Sequence, residues 1–132
     1  MSNLSLFLKK NKKIRENVKY AATKSLCDEK GNPLEWEFKH ITSSEYDDLW
    51  AKCTGDSGKL DWKKFRECLI ASCTVFPSLD SAELQDSYGV MSAEELVREM
   101  VDDPTEFNRL YSFIDRMGGQ ENVEKEVEQA KN

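Results

Sequence analysis

Phe76-Pro77-Ser78-Leu79-Asp80-Ser81-Ala82-Glu83-Leu84-Gln85-Asp86-Ser87-Tyr88-Gly89-Val90 separates two strongly helical patterns, and so decides how they meet. Pro77 has no N–H and its ring clashes with a preceding turn, so it ends the helix before it. Asp80 is placed to cap a new short helix, with Glu83 three residues on completing a reciprocal cap. Gly89 is free to take the left-handed conformation that closes this helix after Tyr88. The stretch predicts a helical corner, and nothing in it is a chemical signature.

Upstream of the corner, Asp61 caps a helix whose stripe is Trp62, Phe65, Leu69, Cys73 and Phe76. That spacing persists for about four turns and predicts the core spine, each large side chain contributing roughly 1.5–3 kcal/mol when fully buried. Before it, Thr42-Ser43-Ser44-Glu45 is a capping box that opens a helix with Tyr46, Leu49, Trp50 and Cys53 on its apolar face. Thr54 to Lys59 is the intervening loop. Its Asp56-Ser57-Gly58-Lys59 lacks the glycine spacing and the Lys-Ser/Thr ending of a phosphate loop.

The first third reads differently. Leu34, Trp36 and Phe38 alternate with Glu35, Glu37 and Lys39, a half-buried strand. Val18 to Ser25 reads as its partner, and Asp28-Glu29-Lys30-Gly31-Asn32-Pro33 is turn chemistry. A lone hairpin is unstable in water, so its apolar face needs the helices behind it. His40 continues that face as a packed or rim histidine, with no nucleophile or carboxylate motif beside it. Leu4, Phe7 and Leu8 share one face of a short helix that the lysine run ends. This amphipathic turn either folds back on its own core or docks on a partner.

Downstream of the corner, Ser92-Ala93-Glu94-Glu95 starts a helix with Leu96, Val97, Met100 and Val101 inward. Asp103-Pro104-Thr105-Glu106 starts another, with proline tolerated at its first position. That helix buries Phe107, Leu110, Tyr111, Ile114 and Met117 and stops at Gly118-Gly119. The charged residues 120–132 read as frayed helix or a flexible tail. The predicted fold is α+β, mostly α: a single domain over residues 1–119, with an N-terminal β-hairpin packed on a compact bundle of about four or five helices.

Composition narrows the function classes. The net charge of −6 is uneven. Residues 1–41 carry nine Lys/Arg against five Asp/Glu, and residues 42–132 carry ten against twenty, a balance of −10. Lys9, Lys10, Lys12, Lys13 and Arg15 form a basic run that would suit nucleic acid, but equally a solvated stretch after an apolar segment; the acidic remainder repels phosphate. No apolar run approaches the ~20 residues that span a bilayer, and Met1 to Leu8 makes a poor signal peptide. An intracellular protein is the expectation. The four cysteines, Cys27, Cys53, Cys68 and Cys73, contain no Cys-x-x-Cys pair, so no metal or cofactor is expected. Cys53, Cys68 and Cys73 read as small core residues. Paired carboxylates sit at helix starts and outer faces, where they complement the helix dipole, and no catalytic motif accompanies them. What remains is binding, with Leu79, Leu84 and Tyr88 as candidates for an apolar patch at the corner.

Three blocks then give the sequence a family likeness: Leu6-Phe7-Leu8-Lys9-Lys10-Asn11, Asp28 through Glu37, and Pro77 through Val90. In order and separation they resemble the XkdN-like tail assembly chaperones of tailed phages and prophages of Gram-positive bacteria, over roughly residues 4–117. Lys24-Ser25-Leu26 and the cysteines depart from the pattern without touching an active residue. The resemblance implies a non-enzymatic chaperone, working in the host bacterial cytoplasm and absent from the mature virion. It would bind the phage tape-measure protein, keep it soluble and help recruit tail-tube protein. Many tail chaperones also have a longer frameshifted product, for which residues 118–132 would suit a tether. Leu4, Phe7, Leu8, Leu79, Leu84 and Tyr88 are the expected contacts for client binding or self-association. Two other readings stay open: a small phage connector protein, and a nucleic-acid-binding regulator using Lys9 to Arg15.

Overall fold

A computed structural model describes residues 3–117. The expected Gly118-Gly119 stop and the tail 120–132 lie outside the described residues. Two short 3-10 turns, Asn3–Phe7 and Lys9–Asn11, lead into β1 (Val18–Tyr20), β2 (Trp36–Phe38) and α1 (Ser43–Lys52). Then follow α2 (Trp62–Cys73), β3 (Thr74–Phe76), α3 (Ala82–Tyr88), α4 (Ala93–Met100) and α5 (Pro104–Met117). Five helices and a small antiparallel sheet make the α+β, mostly α fold that the sequence implies.

The hairpin forms where expected, but its strands are shorter. Val18 faces Phe38 and Tyr20 faces Trp36. The chain from Ala21 to Ser25 leaves the ladder, because Thr23 turns inward toward α5 instead. Asp28 organises the hairpin turn by accepting from the backbone N–H of Lys30 and Asn32, each at 2.9 Å, while Gly31 takes φ of 86°. Leu34 falls outside the strand and is exposed, so only Trp36 and Phe38 carry the buried face.

The sheet has a third strand that the sequence reading assigned to the spine helix. α2 ends at Cys73, and Thr74–Phe76 pairs antiparallel with β2, giving the order β1-β2-β3. Phe38 faces Thr74, and the Lys39 N–H donates to the Cys73 carbonyl at 2.8 Å. β-Branched Thr74 and Val75, followed by a residue that Pro77 biases away from helix, fit a strand better than a fourth turn. The expected spine is thereby corrected at both ends. Trp62 and Phe76 are exposed, and the buried set on α2 is Phe65, Cys68, Leu69, Ile70 and Cys73.

α2 is still the centre of the molecule, packed against α1, α4 and α5. Leu96, Val97, Met100 and Val101 come in from the α4 side, and Phe107, Leu110, Ile114 and Met117 from α5. The caps follow the sequence at four sites. Thr42 and Glu45 exchange both bonds of a capping box at 3.1 Å. Asp61, Ser92 and Asp103 accept from Lys64, Glu95 and Glu106 N–H. At the corner the cap is Ser81, not Asp80: its Oγ accepts from Leu84 N–H at 3.2 Å. Leu79 and Asp80 are spent on the turn that brings Leu79 into the core. Gly89 closes α3 in the left-handed conformation, φ 67° and ψ 33°, as expected.

Candidate functional site

The residues singled out for partner contact fall on two separate surfaces. Leu4, Phe7 and Leu8 lie on the N-terminal arm. They do not fold back on the core: exposure is 69% at Leu4, 83% at Phe7 and 47% at Leu8. Leu6 and Ile14, which the helical pattern left out, are exposed to the same degree or more. Short 3-10 turns replace the expected helix; positions three apart eclipse there, so Leu4 and Phe7 fall in one row while Leu8 sits at the break between the turns. Internally, Asn11 Nδ2 donates to the Ser5 carbonyl at 2.6 Å. At its root, Arg15 donates to the Ile41 carbonyl at 3.3 Å and Asn17 Nδ2 to Glu37 at 2.8 Å.

A groove of about 730 Å³ opens beside this root. Lys12, Lys13 and Arg15 form one wall, with Asp47, Asp115 and the Tyr46 ring among the residues opposite. The Tyr46 hydroxyl is pushed above its ordinary pKa, first by burial and then by Asp115 and Asp47. The Tyr111 hydroxyl is pushed up in the same way, by burial and then by Asp115. The side of the body facing the basic root is thus acidic and aromatic.

The corner divides the remaining three. Leu79 is buried in the core, which corrects its expected role as a surface contact. Leu84 and Tyr88 are half-buried, each with one side packed against the core. The apolar surface here comes from Phe76, which the sequence pattern assigned to the core stripe, and from Val75 and Met91, which it did not assign. Phe76 and Val75 on β3 and Met91 after α3 are exposed, Met91 at 90%. Strand alternation and the pre-proline position were the signals that would have found Phe76. A shallow recess beside them is lined by Val75, Leu79 and Ala93 among others, and shares no residue with the arm groove.

Reactive chemistry is not gathered anywhere on these surfaces. Cys53, Cys68 and Cys73 are buried, and burial pushes the Cys68 and Cys73 thiols up to about 11, away from the thiolate. Asp28 and Glu45 are held below the ordinary carboxylate range, first by backbone hydrogen bonds from Asn32 and Thr42 respectively. Such carboxylates cap turns and do not carry protons at neutral pH. His40 sits at the end of β2 with Nδ1 buried and unpartnered. It is half-buried, between the packed and rim positions expected for it.

Residues 4–131 match the family model of the phage XkdN-like tail assembly chaperone protein. The phage-like element PBSX protein XkdN of Bacillus subtilis strain 168 is 26% identical over 139 residues, covering 98% of this chain and 94% of that protein. YqbN of the same strain is 27% identical over 139 residues, covering 98% and 93%. The crystal structure of YqbN superposes with a TM-score of 0.77 at 24% identity, over 90% of this chain and 98% of that one. That likeness shows the fold.

Proposed function

The chain belongs to the phage XkdN-like tail assembly chaperone family, and from that premise we propose that it holds the phage tape-measure protein in solution and assists assembly of the tail-tube protein around it. The single observation that carries this reading is the pairing of a family match over residues 4–131 with an exposed apolar arm on an acidic body. A long helical client offers apolar faces, and Phe7, Leu8 and their neighbours offer a matching surface that the fold leaves uncovered. The acidic body keeps the complex soluble. Partial burial of Leu84 and Tyr88 leaves the corner a smaller share, together with Phe76 and Met91.

On this reading the protein is a non-catalytic binding module of the host bacterial cytoplasm, left behind when the virion is complete. Co-expression tests it. The tape-measure protein encoded by the same phage or prophage is expected to move from the insoluble to the soluble fraction when this chain is present. Equal solubility with and without it removes the chaperone reading. Mass spectrometry of purified particles is expected to find the tube and tape-measure proteins without this chain; its stoichiometric presence would make it a connector instead.

A further inference from the structure

The outer row of α5 is a run of hydrogen-bond donors in the acidic part of the chain, and we propose that it is a docking site for an acidic amphipathic helix of a partner protein. Thr105, Asn108, Arg109, Ser112 and Arg116 are exposed and fall at helical spacing along one face. With Phe113 and Tyr20 they line an open groove of about 520 Å³, and no carboxylate is among its lining residues. Residues 42–132 carry ten Lys/Arg against twenty Asp/Glu. A row of about three turns without an acid therefore stands out against its surroundings.

The two carboxylates of α5 itself are committed elsewhere. Glu106 accepts from the Thr23 hydroxyl and the Lys24 N–H, and Asp115 lines the groove beside the arm. Among the described residues the one ion pair is Arg98 with Glu67, so Arg109 and Arg116 present their guanidiniums without a carboxylate. Arg66 Nη1 donates to Asn108 Oδ1 at 2.5 Å, which leaves Nδ2 of that amide to donate to a partner. Between the two arginines the floor is apolar. Phe113 is half-buried and stacks on Tyr20 of β1, with ring centroids 4.2 Å apart and planes 11° from parallel.

Spacing selects a helix as the occupant. Arg109 and Arg116 are seven positions apart, about 10.5 Å along the axis, and Phe113 stands one turn beyond Arg109. A partner helix lying nearly parallel to α5 has the same repeat. Carboxylates at its positions i and i+7 meet both guanidiniums, while an apolar residue at i+3 or i+4 rests on Phe113 and Tyr20. Each guanidinium can hold a carboxylate through two parallel N–H···O bonds. Nucleic acid also seeks arginine, but the row is only about 16 Å long, and a longer polyanion would run on to acidic surface. The groove shares no residue with the arm groove or the corner recess, so this site does not rest on the chaperone reading.

Fluorescence anisotropy with the full chain tests this. The probe is a labelled peptide of roughly 21 residues, long enough to hold a helix, with Glu at i and i+7 and Leu at i+3 and i+4. Saturable binding is expected at low salt, weakening as salt goes from about 0.05 to about 0.5 M. Arg109→Gln with Arg116→Gln should weaken it at least about tenfold, because both guanidinium–carboxylate contacts go together. Both arginines are exposed, so the circular dichroism and melting temperature of that variant should match wild type. Lys9→Gln with Lys10→Gln, on the arm, should change binding by less than about twofold. A scrambled peptide of the same composition should bind several-fold more weakly. Binding that survives the arginine variant, or falls equally in the arm variant, overturns the proposal, as does a scrambled peptide that binds equally well. An oligothymidylate that binds more tightly than the peptide, and is lost in the arginine variant, makes the row a nucleic-acid site and overturns it too. Absence of peptide binding at low salt overturns it whatever else covers the row.

Discussion

Glu106 joins the hairpin to the helical body, and its removal is the most discriminating perturbation of this fold. Thr23, buried at 1% exposure, donates its hydroxyl to Glu106 Oε1 at 2.8 Å. The Lys24 N–H donates to Oε2, also at 2.8 Å. Thr23 Oγ1 in turn accepts from the Ser25 N–H at 3.1 Å, so one carboxylate fixes three consecutive residues against α5. Hydrogen bonds to a charged acceptor contribute roughly 1.5–3 kcal/mol each. Because Glu106 keeps some contact with water, both bonds together are assigned about 3 kcal/mol, the low end of that range. Glu106→Ala should lose this amount. Glu106→Gln keeps one acceptor but turns an amide donor toward a second donor, so about half should be lost. At roughly 3–5 °C per kcal/mol for a domain of this size, the alanine variant should melt about 10 °C below wild type. Urea unfolding of Glu106→Ala, Thr23→Val and the double variant should show a coupling of about 1 kcal/mol between the two positions. If both Glu106 variants unfold within about 0.5 kcal/mol of wild type, the clamp does not exist and the hairpin is held by its aromatic face alone.

Other perturbations separate core from surface. Leu79→Ala should cost about 2–4 kcal/mol in urea unfolding, whereas Trp62→Ala, truncating a half-exposed ring, should cost clearly less; the reverse order would return Leu79 to the surface. Gly89→Ala meets no atom within 4 Å but forces a side chain into φ 67°, so about 1 kcal/mol should be lost, and less with Asn. Native thiol titration near pH 8 should find one fast-reacting thiol, exposed Cys27, and all four only after denaturation. The Cys73 thiol is raised from 9.0 to about 11 by burial, so above pH 9 the unfolded state releases its proton first. Stability should therefore be unaffected below pH 9 and fall from pH 9 to 11, at up to about 1.4 kcal/mol per pH unit for this thiol. Cys73→Ala should remove that share of the slope and leave the share of Cys68, whose thiol is raised likewise.

Local chemistry was the legible part of the sequence. The caps at Thr42, Asp61, Ser92 and Asp103 need only a side chain and an N–H three residues away, so they can be read without knowing the fold. Strand β3 could not be read that way. Cys73 and Phe76 keep the period of the α2 stripe, and only pairing with β2, far away in sequence, makes Thr74–Phe76 a strand. Helical period likewise marked Trp62 as core, although it sits in the first turn of α2, where its ring is left half exposed. The corner shows competition between neighbours. Asp80 and Ser81 are both capping types, and the need to turn Leu79 inward left Ser81 in the capping position. Glu106 was visible only as part of a cap, because its bond to Thr23 spans 83 positions. For the contact surface, helical spacing left open whether Leu4, Phe7 and Leu8 fold back or dock, and they are exposed. Phe76 escaped because it reads as an extension of the α2 stripe.

Core burial and much of the exposed apolar surface fall on different elements, and on the proposed chaperone reading this bears on how the protein would release a client. Every fully buried large side chain of α2, α4 and α5 belongs to one continuous cluster that also takes in Trp36 and Phe38 of β2. The helix ranges of α1 and α3 and the two 3-10 turns contribute no fully buried residue. Those same elements and their flanks hold Phe7, Trp50 and Met91. Elements that bury little can shift or open at small free-energy cost while the body remains folded. A binding surface built on them gains area when it orders against a partner, but part of that gain offsets the ordering entropy. Net affinity then stays modest, and release does not require unfolding. Hydrogen exchange gives the measurement: amides of the arm, α1 and α3 should exchange well before those of α2 and α5, and only the former should gain protection when a partner is added. Uniform protection across all five helices would show that the surface is part of the rigid body, and the argument for easy release would fall with it.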